Sequence, residues 1–326
     1  MAAPAILDRA RTGDLANVPR ADPRRSRNRG RGYLFLLPAV ILYVGFLILP
    51  TLASVPLSLF DWSGAGPIRH FIGLDNFTHA LQDQQFREAA LHNVWLFVVL
   101  FVFTNTVSLG LAIEMNRRLL LRHVYRAVLF LPYILSSLAI GFVWQLMLSP
   151  NIGILNPLLA DAHLKSLQQQ WLADPKLALW VLIAIFAWQW NALATVSFLA
   201  GLQSVDTDLV DAARIDGANA WQVFRTVTVP ALAPAFTTLN VLLIIFSFRA
   251  FDLAYVVTGP VGAPGGATTL MGVAIYNNAF STGSAYGSAS TSMSYAMAQG
   301  VLLSLTLGLA AFLMLSYFTR RERRAQ

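Results

Sequence analysis

Six long apolar stretches set the strongest limit on what this chain can fold into. A helix needs about 20 apolar residues to cross the hydrocarbon core of a bilayer, and irregular backbone is not tolerated there against lipid. The stretches of this length are 32–57, 91–115, 127–148, 177–202, 233–257 and 295–318. We therefore expect an all-α membrane protein with six transmembrane helices, in which Pro38, Pro50 and Pro132 mark kinks or span ends.

The composition agrees with a membrane protein and argues against several other classes. Of the 326 residues, 56% are hydrophobic and 12% are charged, whereas a soluble domain carries about 25% charged residues. The chain has no cysteine, which removes disulfides, thiolate metal sites and cysteine nucleophiles. The five histidines lack metal-binding spacing, so we expect neither a metal site nor catalytic residues.

The distribution of lysine and arginine predicts the orientation. Eighteen of these 23 residues lie in 1–31, 116–126, 203–232 and 319–326, and four lie in 58–90, 149–176 and 258–294. Cytoplasmic loops carry the excess of positive charge, so both termini are expected in the cytoplasm. The tail 1–31 is predicted to be disordered, and 319–326 forms a second tail. Arginines that flank apolar spans suit anionic lipids, so we expect no nucleic-acid partner.

Two loops on the opposite side carry weaker signals. Leu74, Phe77 and Leu81 are spaced for one face of a short interfacial helix, with Asp75 as its possible cap. The segment 259–293 has no charge, and it is either a loop or a polar extension of the sixth helix.

The cytoplasmic segment between the fourth and fifth spans is the most informative. Asp206 or Thr207 is expected to cap a short helix that reaches about Asp216, and Gly217 follows as a left-handed C-cap. A second helical turn and Pro230 then complete a helix–turn–helix. An amphipathic linker that rests on the lipid surface would have the same geometry, so the geometry alone does not decide between the two.

This segment resembles the EAA loop of importer-type ABC permeases. Asp211-Ala212-Ala213 is followed by three residues, Gly217, nine residues and Val-Thr-Val-Pro230, against the family pattern E-A-A, x3, G, x9, I-x-L-P. More narrowly, the chain resembles the carbohydrate-uptake permeases of the maltose, trehalose and glycerol-phosphate group. Besides the loop, the stretches that carry this narrower resemblance are 72–77, 130–134, 153–156 and 251–259. The start of the sixth helix departs from the family pattern, because both Tyr286 and Tyr295 fit it.

The resemblance implies a permease subunit of an ATP-driven importer in the cytoplasmic (inner) membrane. Such a subunit moves a sugar or related polar solute by alternating access, alongside a second permease subunit, two copies of an ATPase subunit and an extracytoplasmic solute-binding protein. The chain has no P-loop motif, so ATP and Mg²⁺ would sit on the ATPase, and this chain would be neither an enzyme nor a cofactor binder. The implied coupling residues are Asp211, Ala212, Ala213, Arg214, Asp216, Gly217, Trp221, Phe224 and Pro230.

Polar and aromatic residues within the spans predict a solute pathway, because a sugar is apolar on its ring face and polar at its rim. They are Ser137, Trp144 and Gln145 on the third span, Trp188, Asn191 and Thr195 on the fourth, and Asn240 and Ser247 on the fifth. Hydrogen bonding between packed helices explains any one of them equally well. Arg249 and Asp252, three residues apart, are expected to pair on one helix face rather than to act as a gate.

Two other functions remain open. An ion-coupled secondary transporter commonly carries intramembrane acidic residues or broken helices, which are scarce in this sequence. A membrane enzyme or non-catalytic scaffold is the second alternative, although no nucleophile–base arrangement is visible.

Overall fold

The computed structural model describes residues 29–68, 70–117, 122–280 and 293–325. Most of the predicted tail 1–31 and one of the two predicted helix starts, Tyr286, therefore lie outside the described residues. The chain divides into two units, Met1–Ala53 and Ser54–Gln326.

The first unit holds most of one long apolar helix. This helix begins as α1 (Arg29–Tyr43), passes through a single wide π turn at Val44–Ile48 and continues as α2 (Leu49–Leu57). Pro38 lies inside α1 without ending it. The wide turn ends two residues before Pro50. This proline has no N–H to donate to the residue four positions earlier, so the widened ladder accommodates it.

In its described part, the second unit is built from helices and their loops. Those helices are, in chain order, α3 (Asp75–Gln82), α4 (Gln84–Phe103), α5 (Leu109–Asn116), α6 (Arg122–Ile134), α7 (Ser137–Met147), α8 (Leu155–Asp161), α9 (Ala178–Gln203), α10 (Thr207–Ile215), α11 (Ala220–Val223), α12 (Val229–Ala231), α13 (Ala233–Arg249), α14 (Asp252–Thr258), α15 (Met271–Phe280) and α16 (Met293–Ala325). Wide π turns at Thr104–Ser108 and Phe224–Thr228 join α4 to α5 and α11 to α12 without a break.

Four continuous helices are long and apolar enough to cross a membrane. They are Phe35–Leu57, Gln84–Asn116, Ala178–Gln203 and Met293–Arg320. Two bent pairs also qualify, each as one span: α6 with α7, and α11–α12 with α13. The described chain thus holds four to six candidate spans, as expected for an all-α membrane protein.

The third predicted span is bent between α6 and α7, close to Pro132, where the sequence places a kink or span end. The helix α6 ends at Ile134, and α7 begins at Ser137 with a change of direction of 97°. Pro132 lies in the last turn of α6, where its ring removes a backbone donor. Ser136 then takes an extended conformation with φ −59° and ψ 134°. Proline and serine at a helix end together explain the break.

The fifth predicted span also ends early, and the expected pairing of Arg249 with Asp252 is wrong. Ala250 and Phe251 leave the helical conformation, so Arg249 ends α13 and Asp252 begins α14. No ion pair within 4.0 Å joins the two exposed side chains in the part of the chain described. Charges at this spacing suit two helix ends as well as one helix face, because arginine favours a C-terminus and aspartate an N-terminus.

The predicted interfacial helix forms as α3, but its cap differs from the expectation. Asp75 is the first helical residue, and Leu74 occupies the cap position without a side-chain hydrogen bond. The next helix has the stronger cap, since the Asp83 carboxylate accepts from the backbone N–H of Gln85 at 2.9 Å. A carboxylate in the first turn still stabilises α3 through the helix dipole.

The core of the second unit follows α9, which is buried along most of its length, including Leu182, Ile183 and Phe198.

Hydrogen bonds between buried polar groups tie this helix and α13 to α4–α5. Ser108 donates to Asn191 on α9 at 2.7 Å, the amides of Asn105 and Asn240 bond to each other at 2.8 and 3.2 Å, and Asn93 donates to the Ser247 carbonyl at 2.7 Å. We call these three connections the polar ladder.

Candidate coupling loop and solute cavity

The helix α10 has polar groups at both ends that favour its formation. The Asp206 carboxylate caps it by accepting from the backbone N–H of Asp208 at 2.9 Å. Asp208 lies in the first turn and Arg214 in the last, the arrangement that the helix dipole favours. Arg214 also pairs with Asp211 at 3.3 Å, but both side chains are about two-thirds exposed, so the pair adds little stability.

A Schellman turn ends α10 at the glycine that the sequence singles out. Gly217 adopts φ +85°, which confirms the predicted left-handed conformation. Its N–H donates to the Arg214 carbonyl and the N–H of Ala218 donates to the Ala213 carbonyl, both at 3.0 Å. A Cβ placed on Gly217 would have no described atom within 4 Å. Glycine is therefore required here for its backbone conformation and not for packing space.

A capping box starts the second helix of the loop only two residues later. The Asn219 side chain accepts from the backbone N–H of Gln222 at 2.9 Å, and the Gln222 side chain accepts from the backbone N–H of Asn219 at 2.7 Å. Trp221 and Phe224 then pack with ring centroids 5.5 Å apart. Consecutive end and start motifs give the loop a fixed shape, unlike a flexible linker.

The loop presents apolar side chains outward. Leu209, Ile215 and Trp221 are 58%, 85% and 66% exposed, whereas Val223 is buried. A hollow of about 430 Å³ lies between the loop and the end of α5. Of the expected coupling residues, Asp211, Arg214 and Phe224 line this hollow. Exposed apolar side chains beside charged ones are typical of a protein-binding surface.

The expected coupling residues that lie outside the hollow are also at or near the surface. Ala212, Asp216, Gly217, Trp221 and Pro230 are exposed, and Ala213 is half-buried.

A second hollow lies where the chain breaks between α6 and α7 and between α13 and α14. Its volume is about 390 Å³, within the range of about 300–1,000 Å³ that small-molecule sites occupy. We call it the solute cavity. Aromatic rings form much of its wall: Tyr133, Phe186, Trp190, Phe246 and Phe251.

The polar side chains of the solute cavity come from five helices, α6, α7, α9, α13 and α14. Gln189 donates to the Ser137 hydroxyl at 3.1 Å. Arg249 and Asp252 line the cavity from either side of the α13–α14 break, and both are exposed. Trp190 is only 5% exposed, and its indole Nε1 has no hydrogen-bond partner among the described residues.

The expected pathway residues are divided between this cavity and the helix packing. Ser137 lines the cavity, and the other seven do not. Asn191 and Asn240 belong to the polar ladder, and Thr195 donates to Asn191 at 3.2 Å. Packing between helices accounts for these three. Their part in transport stays a prediction.

The four remaining pathway residues make few polar contacts. Trp144 and Trp188 form an edge-to-face pair at 5.7 Å, and Gln145 is exposed. Ser247 is buried and belongs to the polar ladder only through its backbone carbonyl.

Gln189 and Trp190 line the solute cavity but are not among the expected pathway residues, although they lie within the run Trp188-Gln-Trp-Asn191. Each residue of a helix is rotated by about 100° from the last, so a face chosen through Trp188 and Asn191 excludes Gln189. The useful signal was the polar glutamine itself, since an amide in the middle of an apolar span is costly unless it meets a partner or a cavity.

A third hollow, of about 930 Å³, lies beside α3 and the start of α4, at the opposite end of α4–α5 from the coupling loop. Four carboxylates line it, from Asp61, Asp75, Asp83 and Glu88. We call it the outer pocket. No group of three or more histidine or acidic residues in the described chain is arranged to hold a metal ion.

Residues 105–324 match the family described as the inner membrane component of binding-protein-dependent transport systems. The chain belongs to this family. A probable ABC transporter permease protein of Pyrococcus horikoshii is 31% identical over 281 residues, which cover 86% of this permease and 96% of the relative. The trehalose/maltose transport system permease protein MalF of Thermococcus litoralis is 31% identical over 246 residues, covering 76% and 82%.

A solved structure shows the same fold. A bacterial ABC transporter involved in the import of the acidic polysaccharide alginate has a chain that superposes with a TM-score of 0.72 at 22% identity, covering 92% of this permease and 97% of that chain. The family, and the named relatives, are transport subunits and not enzymes. These matches confirm the resemblance that the EAA pattern indicates.

Proposed function

We propose that this permease is the membrane subunit of an ATP-driven importer that moves a saccharide into the cell by alternating access. The observation that carries the proposal is the coupling loop, with its fixed shape and outward apolar side chains. One of the relatives is named for trehalose and maltose, and the matching solved transporter imports a polysaccharide, which supports a saccharide as the solute.

The coupling loop would dock on a separate ATPase that supplies the energy. Leu209, Ile215 and Trp221 provide apolar contact area, and Asp211 and Arg214 provide charges for orientation. Burying three exposed apolar side chains in a partner gives favourable free energy roughly in proportion to their area. A fixed loop also transmits displacement of the partner to α9 and α13, which it connects. The importer would contain two copies of this ATPase, with ATP and Mg²⁺ bound there.

The opposite end of the permease would face the extracytoplasmic solute-binding protein. The outer pocket lies at that end, and the count of lysine and arginine per loop supports placing it outside the cell. A second permease subunit would complete the translocation pathway, into which the solute cavity would open. Membrane lipids surround the apolar spans.

Reconstitution tests the proposal directly. The complete transporter in proteoliposomes should take up radiolabelled trehalose or maltose with ATP inside, and uptake should stop when the ATPase carries an inactivating substitution in its nucleotide site. The broken helices are a feature shared with ion-coupled transporters, so uptake under an imposed proton gradient needs measuring as well. Proton-driven uptake by this chain without the ATPase would overturn the proposal, and so would a complex that transports no member of a panel of neutral and acidic saccharides.

A further inference from the structure

We propose that the solute cavity selects neutral saccharides. In this proposal Arg249 and Asp252 act as a donor–acceptor pair for adjacent sugar hydroxyl groups, and the indole N–H of Trp190 donates a further hydrogen bond. The inference rests on the proposed import function, and it adds the chemical class of the solute and the residues that recognise it.

The charge of the cavity favours a neutral solute. Its ionisable lining residues are Tyr133, Arg249 and Asp252, so one positive and one negative side chain cancel. A neutral saccharide leaves this balance unchanged. An acidic saccharide would bring a second negative charge close to Asp252, and like charges in a site of reduced dielectric constant repel more strongly than in water.

Arg249 and Asp252 are available for a ligand because they do not bind each other. Neither forms an ion pair within 4.0 Å in the described chain, and the α13–α14 break assigns them to separate helix ends. A guanidinium offers five N–H donors and a carboxylate offers two acceptor oxygens. Adjacent sugar hydroxyls can both donate and accept, so they match such a pair.

Trp190 supplies an independent indication that the cavity takes a polar ligand. Its indole is 5% exposed, and Nε1 lacks a hydrogen-bond partner within the described chain, although a buried donor is normally satisfied. Phe246 holds the indole in place with ring centroids 4.5 Å apart. A hydroxyl oxygen in the cavity would complete the hydrogen bonding of Nε1, while the aromatic walls contact the apolar ring face of the sugar.

Direct binding to the assembled permease–ATPase complex tests the inference without the solute-binding protein. Equilibrium dialysis of radiolabelled trehalose and maltose against the complex in nanodiscs gives the Kd, and an alginate pentasaccharide serves as the acidic competitor. The parent complex should bind at least one neutral sugar and show no competition by the alginate saccharide. Arg249→Gln and Trp190→Phe should each raise the Kd about tenfold, as expected for the loss of one hydrogen bond to the sugar.

Matched variants separate recognition from general damage. Arg87→Gln removes an exposed positive charge outside the cavity, and Trp180→Phe makes the same aromatic change elsewhere on α9, so both should leave the Kd unchanged. Asp252→Asn gives the cavity a net positive charge, and the alginate saccharide should then compete.

The outcomes distinguish the two proposals. If the parent transports trehalose or maltose with ATP but Arg249→Gln and Trp190→Phe bind like the parent, the recognition proposal is wrong and the import function stands. Equal competition by the alginate saccharide in the parent also refutes selection for neutral solutes. A complex that neither binds nor transports any member of the panel of neutral and acidic saccharides refutes both proposals.

Discussion

Replacing Gly217 by valine tests the coupling loop at the position where its geometry is most demanding. Gly217 has φ +85°, and no described atom lies within 4 Å of a Cβ placed there, so the substitution creates backbone strain and no collision. The left-handed conformation costs an L residue about 1–2 kcal/mol, and a β-branched residue is at the upper end. That energy lowers the population of the closed turn roughly 5- to 30-fold relative to open forms. Opening it would release the hydrogen bonds of Gly217 and Ala218.

The assay is co-purification of the ATPase with the tagged permease, followed by ATP hydrolysis in proteoliposomes. We expect Gly217→Val to insert into the membrane normally, because Gly217 lies outside every candidate span. We expect it to retain less ATPase and to lose stimulation of hydrolysis by the solute-loaded binding protein. Gly217→Asn should keep most function, since asparagine tolerates the left-handed region better than other residues.

A second control separates backbone strain in general from strain in the loop. Gly66 also has a positive φ, +76°, with no described atom within 4 Å of its added Cβ, and it lies in a different loop. Gly66→Val should therefore leave ATPase assembly intact. If Gly217→Val binds the ATPase and supports transport as well as the parent, the loop is a passive linker and the coupling proposal is wrong.

Three further predictions follow from the packing and the charge distribution. Asn191→Ala leaves the hydroxyls of Ser108 and Thr195 without their acceptor. It should destabilise the permease by about 1–2 kcal/mol, because such hydrogen bonds are of modest strength in membranes. A thermal unfolding midpoint in detergent equal to that of the parent would contradict this. Gly141→Val places a Cβ 3.0 Å from Val256. The overpacking should lower the free energy of unfolding by about 1–3 kcal/mol, measured in the same way. An unchanged unfolding midpoint would mean that α14 moves away freely. A cysteine at Asn151 should react with an impermeant thiol reagent in intact cells and one at Ala2 should not, and the reverse pattern would refute the orientation drawn from the positive charges.

The coupling loop was predictable because its determinants are local. Glycine after a capped helix has few alternatives to the left-handed conformation, and the spacing from Asp211 to Pro230 resembles the EAA pattern independently of this geometry. The coupling role of the loop stays a proposal. The apolar spans were equally accessible, because membrane thickness fixes their length. Neither inference required knowledge of which helices are neighbours.

The solute cavity could not be derived in the same way. Pro132 indicates a kink near the first break, but hydropathy does not show that Leu135 or Ala250 leaves the helical conformation. Which face of α9 meets a cavity depends on the rotation of that helix against α7 and α13, which is set by tertiary packing. The expected face through Asn191 proved to be the one that binds Ser108, and the neighbouring face at Gln189 lines the cavity.

The polar ladder restricts how this subunit can change shape. Its three connections lie at positions 93, 105 and 108 of α4–α5. If α9 or α13 slid along its axis by one turn, about 5.4 Å, each hydrogen bond between that helix and α4–α5 would break. Buried amides left without partners would oppose that displacement. We therefore expect α4–α5, α9 and α13 to tilt together during transport, and the chain to bend at the α6–α7 and α13–α14 breaks. Axial sliding of one helix past another is disfavoured. The membrane-embedded amides then hold α9 and α13 at a fixed axial position against α4–α5.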